Sequence, residues 1–218
     1  LLTGSGLPHR VALAEIVVGR IRRALGDKTG AIDSFRSGLH VAEAGRAGWM
    51  QFHACYELGL SLFEEDAAES TGLFRKAEGL LDSMWNKLGS DDLKMAFLGD
   101  RENVYTYLVR AMIPESVDRA FELSEKSRSR VLREHLVQDV TTSSAEQIRT
   151  RLSADETVVE YFITGNDLCI FTVRPEGVQC VRRPGVIERL KTEWENLDRH
   201  FSSCSVKWER LQGARRHL

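Results

Sequence analysis

The feature that most constrains the fold of this chain is the spacing of small and aromatic residues in one 34-residue block, Ala12 to Gly45. Apolar residues recur there at helical intervals on both sides of a glycine-rich turn at 26–30, which predicts two antiparallel helices. Small residues at Gly19 and Ala31 allow the two helices to approach closely, and Phe35 fills the seam between them. One such hairpin cannot bury its own apolar face, so we expect its neighbours to be hairpins of the same kind.

Two further hairpins are predicted after this block. The pair Leu58-Gly59 repeats Val18-Gly19 forty residues later, within a predicted helix at 49–65. Its partner helix is predicted at 67–88, and a third pair is predicted from residue 90 to about 112 and from Pro114 onwards. Six helices therefore make about three hairpins, which is roughly the minimum for a stable stack.

The first block resembles a tetratricopeptide (TPR) repeat, whose consensus has small residues where the two helices touch. The resemblance implies a TPR-like superhelix of helical hairpins, a fold that mostly binds other proteins. In a TPR stack the first helix of each hairpin lines the concave groove. The positions so mapped are Leu13, Ile16, Arg20 and Arg23 from the first hairpin, His53, Tyr56, Leu60 and Phe63 from the second, and Glu102 and Tyr105 from the third.

Arginines and aromatic residues together favour a peptide or helix ligand in this groove, because binding anchors are enriched in these residue types. An alternative interpretation is that Tyr56, Leu60 and Phe63 only pack between neighbouring repeats.

The composition changes at Thr141, and the sequence predicts two domains, 1–140 and 141–218. A polar segment at 141–144 is followed by a short predicted helix, and the apolar period then becomes strand-like. Turn signals at 165–167 and 175–177 separate three strands, which predicts an antiparallel meander. Helical periodicity resumes at Gly185, with a last basic helix predicted around 206–218.

The second part resembles the start of a CHAT domain, a caspase-like cysteine peptidase fold that is often fused to TPR repeats, mostly in bacteria. The resemblance rests on three segments in order, Ala120–Leu132, Val158–Phe162 and Leu168–Val173, followed by Gly177-Val178. It implies a mainly α protein whose small α/β segment begins a caspase-like domain. The family's catalytic His and Cys lie in later strands, so the resemblance assigns no catalytic residue here.

The cysteines and histidines predict neither a catalytic pair nor a metal or cofactor site. His53 and Cys55 are two residues apart on a helix, so their side chains diverge by about 160–200°. His200 and Cys204 share one helical face, but a zinc site needs further ligands that are not evident. Cys169 and Cys180 fall on facing strands, two residues out of register, and are interpreted as reduced core thiols.

Composition and charge exclude several other classes. A net charge of −2 argues against nucleic acid as the main partner. No apolar run approaches the ~20 residues of a membrane span. Four cysteines without CxxC spacing fit a reducing compartment, so a cytoplasmic location is expected. The start lacks a Met and a signal peptide, from which we expect an internal part of a longer protein.

Two charged segments have competing interpretations. Helix 120–134 carries Arg128, Arg130 and Arg133 among glutamates at spacings of three and four, typical of a solvated, salt-bridged helix. A functional alternative is a hinge that reports ligand binding to the peptidase part. The basic segment Lys207, Arg210, Arg215 and Arg216 is interpreted as a solvated helix rather than a nucleic-acid patch.

The sequence therefore predicts a non-catalytic regulatory arm, whose partners are a protein or peptide in the TPR groove and a downstream peptidase domain of the same polypeptide. One alternative is a pure TPR scaffold that organises a complex without an active peptidase. Another is that residues 141–218 form an unrelated α/β module with its own ligand.

Overall fold

The protein is described by a computed structural model, which covers the backbone of residues 7–85, 103–135 and 144–215 and the side chains of 7–84, 104–128 and 144–201. The chain divides into two compact units, Leu1–Arg151 and Leu152–Leu218. The described residues are mainly helical, with a small three-stranded antiparallel sheet, as the sequence predicts.

Helices form the regular structure of the described part of the first unit. Consecutive helices pack as pairs, α1 with α2, α3 with α4 and α5 with α6, and α2 with α3 and α4 with α5 join the pairs. The bounds are α1 Leu7–Ala24, α2 Lys28–Ala44, α3 Gly48–Leu62, α4 Ala67–Trp85, α5 Asn103–Met112, α6 Val117–His135 and α7 Ala145–Arg149. The predicted start of the third hairpin at residue 90 lies outside the described residues.

The turn of the first hairpin is shorter than the predicted one because α2 already begins at Lys28. Asp27 caps α2, where its carboxylate accepts a hydrogen bond of 2.9 Å from the Gly30 amide. A Cβ at residue 30 would lie 2.1 Å from that carboxylate, and Gly26 has a φ of +86°. Both glycines are therefore required by the geometry of this turn.

The seams of the first two hairpins are built alike. A Cβ at Gly19 would lie 2.5 Å from the Phe35 ring, and one at Gly59 would lie 3.0 Å from the Phe74 ring. Each phenylalanine is the eighth residue of its helix and is 0% exposed. The close approach that we predicted at Gly19 is thus found in both hairpins.

The third hairpin departs from this arrangement. The eighth residue of α6 is Ser124, which is 0% exposed, while α5 buries the larger Leu108 and Val109. The position that holds the seam phenylalanine in the first two hairpins is therefore a small residue in the third, and the buried phenylalanine of α6 is Phe121 instead.

The short helix α7 belongs to the first unit. The Ala145 amide donates to Glu122 Oε1 of α6 at 3.3 Å, and Arg149 lies 3.8 Å from Asp118 of the same helix. The sequence placed this helix after the predicted 140/141 boundary, which itself falls in a stretch outside the described residues. The contacts divide the chain instead between Arg151 and Leu152.

The second unit contains the predicted meander and one long helix. Its elements are β1 Val158–Thr164, β2 Asp167–Arg174, β3 Gly177–Arg183 and α8 Ile187–Arg215, and the strand order is β1-β2-β3. The sequence predicted a break before a last basic helix. The structure instead continues α8 as one helix of 29 residues, because no proline interrupts it.

The sheet has one buried face and one exposed face. The central strand β2 buries Cys169, Phe171 and Val173, all 0% exposed. On the opposite face, Tyr161 is 62% and Ile163 is 55% exposed. Strand alternation accounts for this division, since neighbouring residues of a strand point to opposite faces.

Candidate partner-binding groove

Two of the predicted groove arginines join the first hairpin to the second. Arg20 Nε donates to Glu57 Oε1 at 2.6 Å, and an Arg23 guanidinium nitrogen donates to Glu57 Oε2 at 2.5 Å. The Glu57 side chain is 5% exposed, whereas the Arg20 and Arg23 side chains are 48% and 36% exposed. The carboxylate of α3 is therefore held between two arginines of α1, one helical turn apart.

Arg23 also lies against the hairpin seam. Its guanidinium carbon is 5.4 Å from the centre of the Phe35 ring, within the range of a cation–π contact. One arginine thus contacts the seam of the first hairpin and the carboxylate of the second. Its orientation is fixed before any ligand binds.

A cluster of aromatic rings joins the second hairpin to α5. The Tyr107 ring stacks on Phe74 with centres 5.3 Å apart and meets the edge of Phe63 at 5.3 Å. Tyr56 lies 6.3 Å from Tyr107 and 6.1 Å from Phe74. Tyr56 and Phe63 belong to α3 and its C-terminal end, Phe74 to α4 and Tyr107 to α5. Rings from three helices therefore hold the repeats together.

Burial in this cluster raises the pKa of Tyr56 well above its ordinary value, with Tyr107 as the next cause. The phenol of Tyr56 therefore stays protonated throughout the physiological pH range, and hydrogen bonding rather than charge is available to it.

An open cavity of about 380 Å³ lies beside these contacts. Residues from α1, the start of α2, the end of α3 and α5 line it. Its lining is Arg23, Lys28, Leu60, Ser61, Phe63, Glu64, Glu65, Tyr107 and Arg110. The first helices of all three hairpins thus contribute side chains to one cavity.

Charges are unevenly paired around the cavity. Lys28 lies 3.5 Å from Glu65, and both side chains are more than half exposed. Arg110 instead lies over the Phe63 ring at 5.0 Å. Arg110 thus adds a positive charge to a lining that also holds Arg23, Lys28, Glu64 and Glu65.

The structure places the predicted groove residues in three groups. Arg23, Leu60 and Phe63 line the cavity, and Arg20 and Tyr56 lie at its supporting contacts. His53 packs at 4.2 Å against Trp49, away from the cavity lining. Glu102 lies outside the described residues.

Two mapped positions are core residues instead of groove residues. Tyr105 and Ile16 are each 2% exposed, and burial raises the pKa of Tyr105 well above its ordinary value. Tyr107, two residues further along α5, is the tyrosine that lines the cavity. A helix turns by about 200° over two residues, so an error of two positions in the mapping exchanges the two faces.

Sequence reasoning missed Glu57, Tyr107 and Arg110. The sequence does show one acidic residue on α3 and several arginines on α1. It does not show which of them pair, because they are more than thirty residues apart and meet only in the folded stack. For Tyr107 and Arg110 the signal was their three-residue spacing, which places both on one helical face.

Cys169 and Cys180, which we interpreted as reduced core thiols, are free cysteines of the second unit; Cys169 is buried and Cys180 is half-buried. Phe171 pairs with Cys180 and Cys169 with Arg182, so the two cysteines are diagonal neighbours on one face. A hydrogen bond with Cys180 lowers the pKa of Cys169 to about 7 and raises that of Cys180. Thr164 Oγ1 lies 3.9 Å from Cys169 Sγ and contributes in the same direction.

The charged helix α6 is tied to the repeats by its lysine. Lys126 Nζ lies 2.7 Å from Glu78 and 2.8 Å from Asp82 of α4, and Arg128 lies 3.8 Å from Glu125 of its own helix. The salt-bridged interpretation thus describes residues 122–128. Arg130 and Arg133 lie outside the described side chains.

Searches for other site types and for relatives give no match. Within the described ranges no group of three or more His, Cys, Asp or Glu side chains is placed to hold a metal ion. In the same part of the chain no helix has the length and apolar character that crossing a membrane requires. No family model, no curated protein and no solved structure matches the chain.

Proposed function

We propose that residues 1–140 are a TPR-type arm that binds a peptide segment of a partner protein and regulates a CHAT-family, caspase-like cysteine peptidase in the same polypeptide. In this proposal the chain itself recognises a ligand and performs no chemistry. The peptidase would use a Cys thiolate with a His base, as the family resemblance implies.

The observation that carries the binding role is the cavity formed by the first helices of three successive hairpins. It combines an aromatic wall, Phe63 and Tyr107, with the guanidinium of Arg110, which lies over the Phe63 ring. Such a surface suits a peptide with an apolar anchor beside an acidic side chain, because buried aromatic residues and arginines dominate binding energies at interfaces.

Both interpretations of the aromatic residues have support in their contacts, and Phe63 has both kinds of contact. Tyr56 contacts Phe52, Phe74 and Tyr107 and therefore supports the stack. Leu60 and Phe63 are half-buried and line the open cavity. The packing contacts position the recognition surface, so the two roles are compatible.

The binding role is tested by selecting peptides from a phage-displayed random library on the purified chain and measuring their affinity by calorimetry. We expect acidic peptides with an apolar anchor to be selected, and Arg110→Glu to weaken them by at least about tenfold. The matched control is Arg119→Glu, on an exposed surface of α6 where Arg119 pairs with Glu122 of its own helix. Equal loss in both variants, or binding unaffected by Arg110→Glu, contradicts the assignment of the cavity.

The peptidase role is tested on the longer polypeptide. The coding sequence that follows Leu218 should contain a His and a Cys, each after an apolar strand, and peptides selected on the cavity should change the hydrolysis of a fluorogenic peptide library by the full protein. If the coding sequence lacks that pair, the scaffold alternative replaces the regulatory one, and the binding result stands independently.

A further inference from the structure

Helix α8 carries a regular apolar stripe. Ile187, Leu190, Trp194, Leu197 and Phe201 follow one another at alternating spacings of three and four residues. The sequence continues this spacing at Cys204, Trp208 and Leu211. Alternation of three and four over successive heptads is the pattern of a coiled-coil seam, which packs against another helix.

The stripe is buried at its start, where Ile187 is 5% exposed, and open beyond that residue. Leu190 is 49%, Trp194 is 70%, Leu197 is 46% and Phe201 is 64% exposed. Within the described part of the second unit, none of the three strands packs along α8. Large apolar side chains in one contiguous stripe mark an interaction surface, and the heptad spacing specifies that the partner is a helix.

The stripe is complementary to itself when two copies run antiparallel. With the two-fold axis between Glu195 and Asn196, Trp194 meets Leu197 of the second copy and Leu190 meets Phe201. Each pairing occurs twice by symmetry, so the four exposed residues fill all four central layers. A two-fold contact of this kind closes on itself and makes a dimer.

The flanking charges favour this same register. On one side of the seam Lys191 faces Asp198 of the second copy, and on the other side Glu193 faces His200. A parallel pair would instead place Glu193 beside Asp198, two like charges. Lys191 lies 3.2 Å from Glu188 of its own helix, and both side chains are highly exposed, so this pair is of the weak kind.

We propose that α8 is a self-association element through which two copies of this chain form an antiparallel dimer. This inference does not depend on the proposed groove or on the peptidase.

The dimer is tested by sedimentation equilibrium of the full chain, whose mass is 24.6 kDa. The expected result is a concentration-dependent doubling of that mass, which Trp194→Glu abolishes. Tyr161→Glu is the matched control, since Tyr161 is an aromatic residue of similar exposure, 62%, on the sheet. A wild-type chain that stays monomeric overturns the proposal, and so does a dimer that Tyr161→Glu dissociates and Trp194→Glu does not.

Charge reversal tests the register. Lys191→Glu alone and Asp198→Lys alone each turn two attractive pairs into two repulsive ones, and each should weaken the dimer about tenfold. An equimolar mixture of the two variants should form a heterodimer, and the double variant should regain the wild-type affinity. A tighter dimer with Asp198→Lys would show a parallel pair and overturn the antiparallel one. Circular dichroism checks that every variant keeps its helicity.

Discussion

The first two hairpins have the same seam but differ in how much of their surface is covered. Helix α1 buries Ala12, Ile16 and Gly19 among 18 residues. Helix α3 has only 15 residues and buries more than twice as many, Phe52, Ala54, Cys55, Glu57, Leu58, Gly59 and Leu62. Meanwhile α1 leaves Ile21 54% and Leu25 80% exposed.

Both composition and neighbours contribute to this difference. Helix α3 is the more apolar of the two and carries large side chains such as Phe52, Leu58 and Leu62. Among the described helices, α3 packs against α1, α2 and α4, whereas α1 packs against α2 and α3. A helix between two others in a stack of repeats therefore has more surface to bury.

The largest effect that this comparison predicts is at the seam phenylalanines. Phe74→Ala should destabilise the first unit by about 4 kcal/mol and Phe35→Ala by about 3 kcal/mol, within the usual range for a buried phenylalanine. Phe74 also contacts Phe63, Tyr56 and Tyr107, so its loss affects two joints of the stack. Urea unfolding followed by circular dichroism measures both. The reverse order would mean that coverage by neighbours does not set the cost.

The seam glycines give the next effect. Gly19→Ala should destabilise by about 2 kcal/mol, because its Cβ would lie 2.5 Å from Phe35. Gly59→Ala should be nearly neutral, since the 3.0 Å approach is milder and alanine gains about 1 kcal/mol of helix propensity.

The control for both glycines is Gly72→Ala in α4, where nothing lies within 4 Å of the added Cβ. It should stabilise the unit by about 0.5–1 kcal/mol. Thermal unfolding of the three variants side by side provides the measurement, and equal destabilisation of all three would exclude close packing as the cause.

The ion pairs between hairpins give a smaller effect. Glu57→Gln should cost about 1–2 kcal/mol, because it leaves two arginines facing a buried neutral group, although both arginines are partly solvated. Glu69→Gln removes the exposed pair with Arg36 and should cost no more than about 0.5 kcal/mol. Denaturation at low and high salt separates the two, and a Glu69 variant as costly as the Glu57 variant would contradict the role of burial.

The smallest expected effect concerns the pKa values of two thiols, one in each unit. Burial raises the pKa of Cys55 to about 11, whereas the Cys180 hydrogen bond lowers that of Cys169 to about 7. Between pH 7 and the ordinary thiol pKa of about 8.5, Cys169 is largely ionised in the folded protein and largely protonated in the unfolded one, so the folded protein binds fewer protons. The Cys169 contribution to stability therefore grows as pH rises through this window and is lost as pH falls through 7.

Thiolate absorbance at 240 nm measures this titration directly. Cys180→Ala should move the Cys169 titration upward, because it removes the main cause of the lowered pKa. Cys55→Ala should leave it unchanged. A Cys169 titration that ignores residue 180 would refute the hydrogen bond as its cause.

The helices, the meander and the seam at Gly19 could be predicted because each is encoded by local periodicity or by one small residue beside one large one. The seam of the third hairpin could not be predicted, since Ser124 stands where the first two hairpins have a buried phenylalanine. The groove was predicted in part. Arg23 and Phe63 follow from helical spacing, but Glu57 and Arg110 depend on contacts between residues far apart in sequence.

The joint between the first and second hairpins is made by charges, and the joint between the second hairpin and α5 is made by rings. Arg20 and Arg23 donate short, directional hydrogen bonds to one carboxylate. Salt screens the attraction between these charges and so weakens this joint. Stacked rings such as Phe74 and Tyr107 carry no charge, so salt does not screen their contact. Ionic strength therefore acts differently on the two joints of the same stack.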